Sequence, residues 1–336
     1  MMEIFVKHQI RETRNAMRKQ LLELVRCPVC KGEQFELSSP HENQIEIRQA
    51  IVICRGCQHS FRVENGVLDL LVNPSQEITS EQVGWAQLEK MVVNTDQLML
   101  SLPDGIAEHK AAWQSQAENF HYIWSQIELN GTEKVLDLGA GRCWATRYFA
   151  RRGCLAVGLD VLLTRYVGLL TSDVYLEKEG VYFERVCSDM NQIPMRDCVF
   201  DVVFMAATLH HSSDIQATLK QVHATLKPGG RLVLINEPVV GIFASKHLDC
   251  PEVEHGINEH VYRYLEYRRA LKQLKFNWQL YPFIGGYAGP VSRLNHLLVK
   301  TFPRQLMPKR VWPPLLIVQL LLFGGILNLV AQKTGN

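Results

Sequence analysis

A chain of 336 residues, 47% hydrophobic and 21% charged, has the composition of an ordinary globular protein and is long enough to bury one large α/β core and carry an appended module. Its formal net charge of +2 argues against a protein held to its partner mainly by attraction to a phosphate backbone, so nucleic acid is not the favoured partner. From Met1 to Leu24, Lys7, Arg11, Arg14, Arg18 and Lys19 are spread among apolar residues with no continuous apolar run, so no secretory signal is read and a cytoplasmic location is expected. The same segment reads as an amphipathic helix, either lying on a membrane surface or packed beside its neighbour.

Four of the nine cysteines come next, as Cys27-Pro28-Val29-Cys30 and Cys54-Arg55-Gly56-Cys57. Each C-x-x-C knuckle aims two thiolates at one point, and two knuckles complete a four-sulfur tetrahedron for which structural Zn2+ is the natural occupant. Disulfides are the competing reading, and the cytoplasmic expectation weighs against them. Between the pairs, Ile45, Ile47, Ile51 and Ile53 alternate as the arm of a hairpin would. The stretch from Leu21 to Leu71 resembles the zinc ribbons that serve as small activator subunits of tRNA and release-factor methyltransferases. That resemblance implies a metal that organises the module and takes no part in chemistry.

Residues 73–132 carry Trp85, Trp113, Phe120, Tyr122 and Trp124 at roughly helical intervals, a pattern that reads first as core and second as a lid over a ligand. The chain then turns to Lys134–Gly141, KVLDLGAG, an apolar strand ending on an acid and breaking into a glycine-spaced turn. Gly139 and Gly141 permit a sharp turn and close approach of a ligand. A second acid-tipped strand ends at Leu159-Asp160, ~20 residues on, where a carboxylate for ribose hydroxyls is expected. Ser188-Asp189-Met190, Phe200–Ala206 and Leu226–Ile235 (LKPGGRLVLI) continue an alternation of strand and helix, which predicts parallel strands joined by right-handed crossovers.

This order closely resembles the class I S-adenosylmethionine (SAM) dependent methyltransferases. The resemblance implies a Rossmann-like α/β fold: a seven-stranded, mostly parallel sheet whose last strand is antiparallel, here with the small zinc ribbon in front. It implies cofactor contacts from Asp137, Gly139, Ala140, Gly141, Asp160, Val161, Asp189, Met190 and Ala206. The third glycine often seen in the loop is replaced by Cys143. His210 and His211 after the fourth strand, and Glu237 after the fifth, are the candidates for a general base, with His255 or His260 beyond them. The stretch Glu254–His260 falls where the family builds its acceptor pocket. Cys143, Cys154, Cys187, Cys198 and Cys250 read as buried thiols.

Past Pro238, a helix over His260–Lys275, a strand over Phe276–Phe283 and a last strand over Ile326–Lys333 are expected. The apolar run Leu315–Phe323 is short of the ~20 residues that a membrane span needs. With Arg304, Lys309, Arg310 and Trp312 upstream, residues 304–323 also suit a peripheral membrane contact. The expected division is residues 1–72 for the N-terminal helix and ribbon, 73–132 for a helical linker or lid, and 133–336 for the methyltransferase domain with an insertion at about 284–324. The favoured function is methylation of a small-molecule, lipid-linked or glycan-precursor acceptor. An RNA methyltransferase that docks through its ribbon, and a non-catalytic scaffold, are the alternatives.

Overall fold

The computed structural model describes residues 17–42, 47–88, 95–106, 110–244, 251–283 and 312–335. One mixed sheet runs through them in the order β1-β2-β3-β4-β7-β6-β5-β8-β9-β12-β11. Its middle comprises β7 (Glu184–Cys187), β6 (Leu155–Asp160), β5 (Lys134–Leu138), β8 (Phe200–Ala206) and β9 (Leu226–Val240), all parallel. These strands are apolar almost throughout because helices cover both faces. The far edge is β12 (Gly324–Lys333), antiparallel to both β9 and β11 (Phe276–Tyr281). Those seven strands are the Rossmann-like sheet expected from the sequence, including its antiparallel end.

The ribbon is not a separate appendage. A hairpin of β1 (Phe35–Glu42) and β2 (Ile47–Cys54) continues through β3 (Ser60–Glu64) to β4 (Val67–Asp69), and β4 pairs in parallel with β7. The ribbon thus extends the central sheet. Its approach is pinned from the other side: α1 (Met17–Leu21) leads into Val25, which bridges Met195, and Arg196 Nη2 donates to Leu22 O at 3.0 Å. Leu21, Leu24, Val25 and Cys27 are buried in the same apolar cluster as Leu136, Val157 and Val203 of the central strands.

After β4 come α2 (Gln76–Leu88), α3 (Asp96–Ser101) and α4 (Lys110–Trp124). The aromatic stripe divides between the two roles read for it. Phe120 is buried and its ring meets those of Trp124, Trp144, Tyr148 and Phe204, so α4 is core. Trp85 on α2 instead faces the ligand pocket. The remaining helices are α5 (Trp144–Arg152), α6 (Asp173–Glu179), α7 (Ile215–Thr225), α8 (Pro251–Glu254), α9 (Tyr264–Gln273) and α10 (Trp312–Leu322).

Three expected elements shift. The helix expected over His260–Lys275 is α9, which begins only at Tyr264, because Tyr262 and Arg263 form β10 alongside Val239 and Val240 and Arg263 then caps the helix. The strand expected to reach Phe283 ends at Tyr281, opposite Asn328. The last strand starts two residues early, at Gly324: there φ is +74°, and a β-carbon would lie 2.4 Å from Val239 O, so only glycine lets the chain leave α10 against β9. No helix among the described residues is long and apolar enough to cross a membrane. Residues 1–16, the basic positions 304, 309 and 310, and most of the expected insertion lie outside the described residues.

Candidate active site

Parallel strands end at a common edge, and there the loops after β5, β6, β7 and β8 surround a pocket that opens to solvent. At its centre is the turn after β5. Gly139 N–H and Ala140 N–H both donate to Leu159 O, at 2.9 and 3.0 Å, which stitches the turn to β6. Gly139 has φ +67°, and a β-carbon would lie 2.0 Å from Thr208 Cγ2, so side chains are excluded by the facing loop as well as by the backbone. Cys143, where a third glycine was noted as missing, takes φ +57° at the start of α5 and does glycine's conformational work itself.

Asp160 is the residue around which the pocket is organised. Its Oδ2 accepts from Gly141 N at 2.8 Å and its Oδ1 from Leu162 N at 2.9 Å, leaving a lone pair on each oxygen for a pair of donors such as vicinal hydroxyls. Burial pushes its carboxyl up to about 6, against the pull of the Gly141 and Leu162 N–H groups. Gly139, Gly141, Asp160, Val161, Met190 and Ala206 line the pocket.

Three expected cofactor contacts are not among the residues that line the pocket. Asp137 is buried and accepts from Thr146 Oγ1 at 2.5 Å, so it ties β5 to α5; burial pushes its carboxyl up to about 7. Ala140 is turned into the apolar cluster beneath α5. Asp189 Oδ1 caps a short turn, accepting from Asn191 N and Nδ2 at 2.7 and 2.8 Å, while its neighbours Ser188 and Met190 face the cavity. An acid just past a strand looks the same in sequence whether it meets a ligand or a backbone N–H.

The opposite wall is polar. Thr208–His211 forms a tight turn after β8, and the buried Glu237 carboxylate holds it: Oε1 accepts from Thr208 N and Leu209 N at 2.8 and 2.9 Å, and Oε2 from His210 N at 3.2 Å. His210 Nδ1 lies 3.1 Å from Glu237 Oε2, and its Nε2 lies 3.3 Å from Glu259 Oε2. Burial opposes charge on His210, but hydrogen bonds to Glu237 and Glu259 raise it to about 10, and that same pairing holds the Glu237 carboxyl low despite its burial. Neither His210 nor Glu237 lines the pocket, so of the three candidate bases only His211 faces it. His211 Nδ1 donates to Asn258 O at 2.6 Å, which leaves Nε2 with its lone pair; burial and the adjacent His210 charge lower it to about 4. His260 pairs instead with Glu77 at 2.9 Å.

Glu81 and Trp85, one helical turn apart on α2, close the pocket from above and were not singled out as ligands by sequence. Their i, i+4 spacing was the available signal. Burial pushes Glu81 up to about 8, so its carboxyl carries a proton at neutral pH, and it accepts from Asn258 Nδ2 at 3.1 Å. Gly84 beside them sits directly against the 255–257 segment, where a β-carbon would lie 2.4 Å from His255 O, so α2 packs closely on that segment.

At the ribbon, Cys27, Cys30, Cys54 and Cys57 converge. Their sulfurs stand 3.7 Å (Cys27–Cys57) and 3.5 Å (Cys30–Cys54) apart, close to the ~3.8 Å that a tetrahedral ion with ~2.3 Å bonds to sulfur demands. Gly32 N–H reaches Cys30 Sγ at 3.4 Å, as thiolate charge requires. Four sulfurs leave no open position, so the Zn2+ that fits here is structural. Of the other cysteines, Cys143, Cys154 and Cys187 are buried as expected; Cys198 is exposed, held at φ +55° in a surface turn, and Cys250 lies outside the described residues.

This glycine turn, paired acid and sheet order are those of the class I SAM-dependent methyltransferase fold, here joined to a ribbon with the four ligands of a zinc centre. Residues 136–234 match the family described as methyltransferase domain, and residues 18–66 the family described as Trm112p-like protein. Among curated proteins, the chain is similar to demethylmenaquinone methyltransferase of Corynebacterium glutamicum (strain R), 30% identical over 149 residues, covering 42% of this chain and 61% of that protein. The enzyme of the same name from Mycobacterium marinum is 29% identical over 153 residues, with the same coverage. The chain therefore spans about three-fifths of the length of these relatives. Among solved structures, geranyl diphosphate C-methyltransferase from Streptomyces coelicolor A3(2) superposes with TM-score 0.55 at 10% identity, covering 78% of this chain and all of that one. The [4+2]-cyclase SpnF does so with TM-score 0.51 at 16% identity, covering 79% and 98%. The two structures share the fold; their different names show that the fold alone does not fix the reaction.

Proposed function

We propose that the protein is an enzyme that transfers the methyl group of SAM to a small-molecule acceptor entering beside His211. The carrying observation is the tie between the Gly139–Gly141 turn and Asp160 at one end of a pocket whose other wall is His211. In this reading Asp160 holds the ribose hydroxyls, the turn admits the methionine part, and Met190 with Val161 flanks the adenine. Bound SAM supplies an electrophilic methyl on a sulfonium whose leaving group is already attached.

What remains for the chain is alignment, exclusion of water and, for an acidic acceptor, a place for the proton. Glu81 and Trp85 cover the site. Glu237 fixes the turn that carries both histidines, and His211 Nε2, unprotonated at neutral pH, is the base available to an acceptor hydroxyl or acidic carbon.

A lipophilic acceptor is the finer reading. Relatives named demethylmenaquinone methyltransferase support it. So does an apolar surface: Phe243 is 83% exposed and Phe323 68%, with Ile242 and Val318 beside them, and Ile242 N bonds Leu321 O where the β9 loop meets α10. Such a surface suits a cytoplasmic protein that touches a membrane peripherally.

The test has two arms. Calorimetry with SAM and with S-adenosylhomocysteine reads the cofactor site; labelled SAM incubated with aqueous and organic extracts of cells reads the acceptor. Label recovered in an organic-soluble product is the expected result. Absence of binding to either compound at millimolar concentration ends the enzymatic reading, and label confined to RNA, with strongly salt-dependent affinity, replaces the acceptor.

A further inference from the structure

The two histidines of the Thr208–His211 turn, of which only His211 lines the pocket, both present Nδ1 to an acceptor. Asn258 O, which can only accept, lies 2.6 Å from His211 Nδ1, so that nitrogen carries hydrogen and Nε2 does not. The buried Glu237 carboxylate takes the corresponding Nδ1 hydrogen of His210 at 3.1 Å. The two Nε2 atoms then face one carboxylate, Glu259: His210 Nε2 at 3.3 Å from Oε2, and His211 Nε2 at 3.9 Å from Oε1. A proton on His210 Nε2 supplies the positive charge that this carboxylate needs, while the lone pair on His211 Nε2 faces it unshielded; a cation seated between the three groups would serve both nitrogens at once.

We infer that His210 Nε2, His211 Nε2 and Glu259 form a site for a divalent transition-metal cation, open toward the SAM pocket and separate from the four-cysteine ribbon. The candidate ligand atoms of these residues all lie within 4.8 Å of one another. A cation with bonds of ~2.1 Å holds its ligands roughly 3–3.6 Å apart, so the His210–Glu259 spacing already fits and the His211–Glu259 spacing closes by a few tenths of an ångström. The partners on the other ring nitrogens are those that metal-bound imidazoles use: a carboxylate for one, a backbone carbonyl for the other.

Charge favours the same occupant. Glu237 and Glu259 contribute two negative charges, and a divalent ion with two neutral imidazoles cancels them within a buried site. Binding displaces the proton on His210 Nε2 to solvent, and no other bond changes. Two nitrogens and one oxygen select a first-row transition ion over Mg2+ or Ca2+, which prefer all-oxygen shells. Three protein ligands leave positions free, and because His211 lines the pocket, those positions receive an oxygen of the acceptor. This deepens the methyltransferase reading and rests on it for the acceptor: in the metal-loaded form, His211 orients the acceptor through the ion instead of taking its proton.

The experiment uses the full chain with its ribbon already filled by zinc, titrated with Co2+ and followed by visible absorption, with SAM affinity measured on the same samples. The expected result is one Co2+ per chain with ligand-field bands and no thiolate-to-cobalt charge transfer, since the cysteine site is occupied. Glu259→Gln, nearly isosteric and outside the residues that line the SAM pocket, weakens Co2+ at least ~10-fold with SAM affinity unchanged. A wild-type chain that binds SAM but takes up no Co2+, or binds it equally in Glu259→Gln, overturns the metal site and leaves the methyltransferase reading intact. A chain that takes up Co2+ but ignores SAM does the reverse.

Discussion

Asp69, at the end of the ribbon, lies opposite Cys187 in parallel register, and Cys187 in turn lies opposite Asp160, so the zinc module and the central acid of the SAM pocket share one row of the sheet. The backbone carries the row further: Leu70 N donates to Cys187 O at 2.9 Å, and Ser188 N to Asp160 O at 3.0 Å. Arg185 adds a clamp, reaching Asp173 at 2.6 Å and the ribbon's Asn65 O at 3.0 Å.

Metal removal should therefore be felt in the pocket. Structural zinc contributes on the order of 10 kcal/mol to isolated zinc fingers, and losing it here frees β4, from which α2 with Glu81 and Trp85 continues. Chelation, or Cys54→Ser, is expected to lower the melting temperature of the whole chain in one transition and to weaken SAM several-fold. Differential scanning calorimetry with and without SAM checks this; an unchanged main transition and unchanged SAM affinity would show that the ribbon stands apart.

Asp160 sets a pH dependence with two opposite signs. Its carboxyl is buried and raised from 3.8 to about 6, so the empty protein spends folding free energy to ionise it. That contribution makes the SAM-free chain most stable below the unfolded value and less stable as pH rises toward 6, and Asp137, raised to about 7, acts in the same sense. SAM binding needs the ionised form, so affinity is expected to fall as pH drops through about 6. Asp160→Asn should weaken SAM by roughly 10–100-fold, the worth of charge-assisted hydrogen bonds, and flatten that pH profile. Titration calorimetry between pH 5 and pH 8 reads both effects.

Trp85 tests the lid. It lines the pocket from a helix that precedes the glycine turn by about fifty residues of chain, yet α2 is braced against the 255–257 segment. Trp85→Ala removes a large apolar wall without touching the Asp160 hydrogen bonds. About tenfold weaker SAM binding is expected, with the melting temperature of the empty protein little changed. Equal affinity would return Trp85 to a purely packing role.

The cofactor side of this site was legible because its signals are local. Gly139, Gly141 and Asp160 are set by strand ends and turn geometry, and the paired C-x-x-C motifs by the coordination of one ion. The acceptor side was legible only in part. His211 and the 254–260 stretch were marked, but sequence could not show that the buried Glu237 holds the histidine turn from a neighbouring strand, nor that Glu81 comes from far upstream. Asp137 is buried against Thr146 and Asp189 Oδ1 is taken up by Asn191, partners that sequence alone could not show. The fusion of ribbon and core was hidden for another reason: β4 is three residues long, Val67–Asp69, too short for any periodicity.

Glu237 is the residue whose change should separate positioning from packing. Its carboxylate accepts three backbone N–H groups of the Thr208–His210 turn and the Nδ1 hydrogen of His210. Glutamine keeps the shape but has a single acceptor oxygen, so its amide N–H groups would oppose donors that have no other partner in a buried site. A loss of ~3–5 kcal/mol of stability is expected, as for breaking one side of a buried ion pair. Thr208 also packs on Gly139, so part of the effect should reach the cofactor turn. The larger part falls on His211: turnover is expected to drop more than SAM affinity, since the turn that aims the ring loses its anchor while Asp160 keeps both N–H bonds. Denaturant unfolding gives the stability term, and single-turnover rates at saturating SAM give the other; a variant that unfolds early yet turns over normally when folded would assign Glu237 to the core alone.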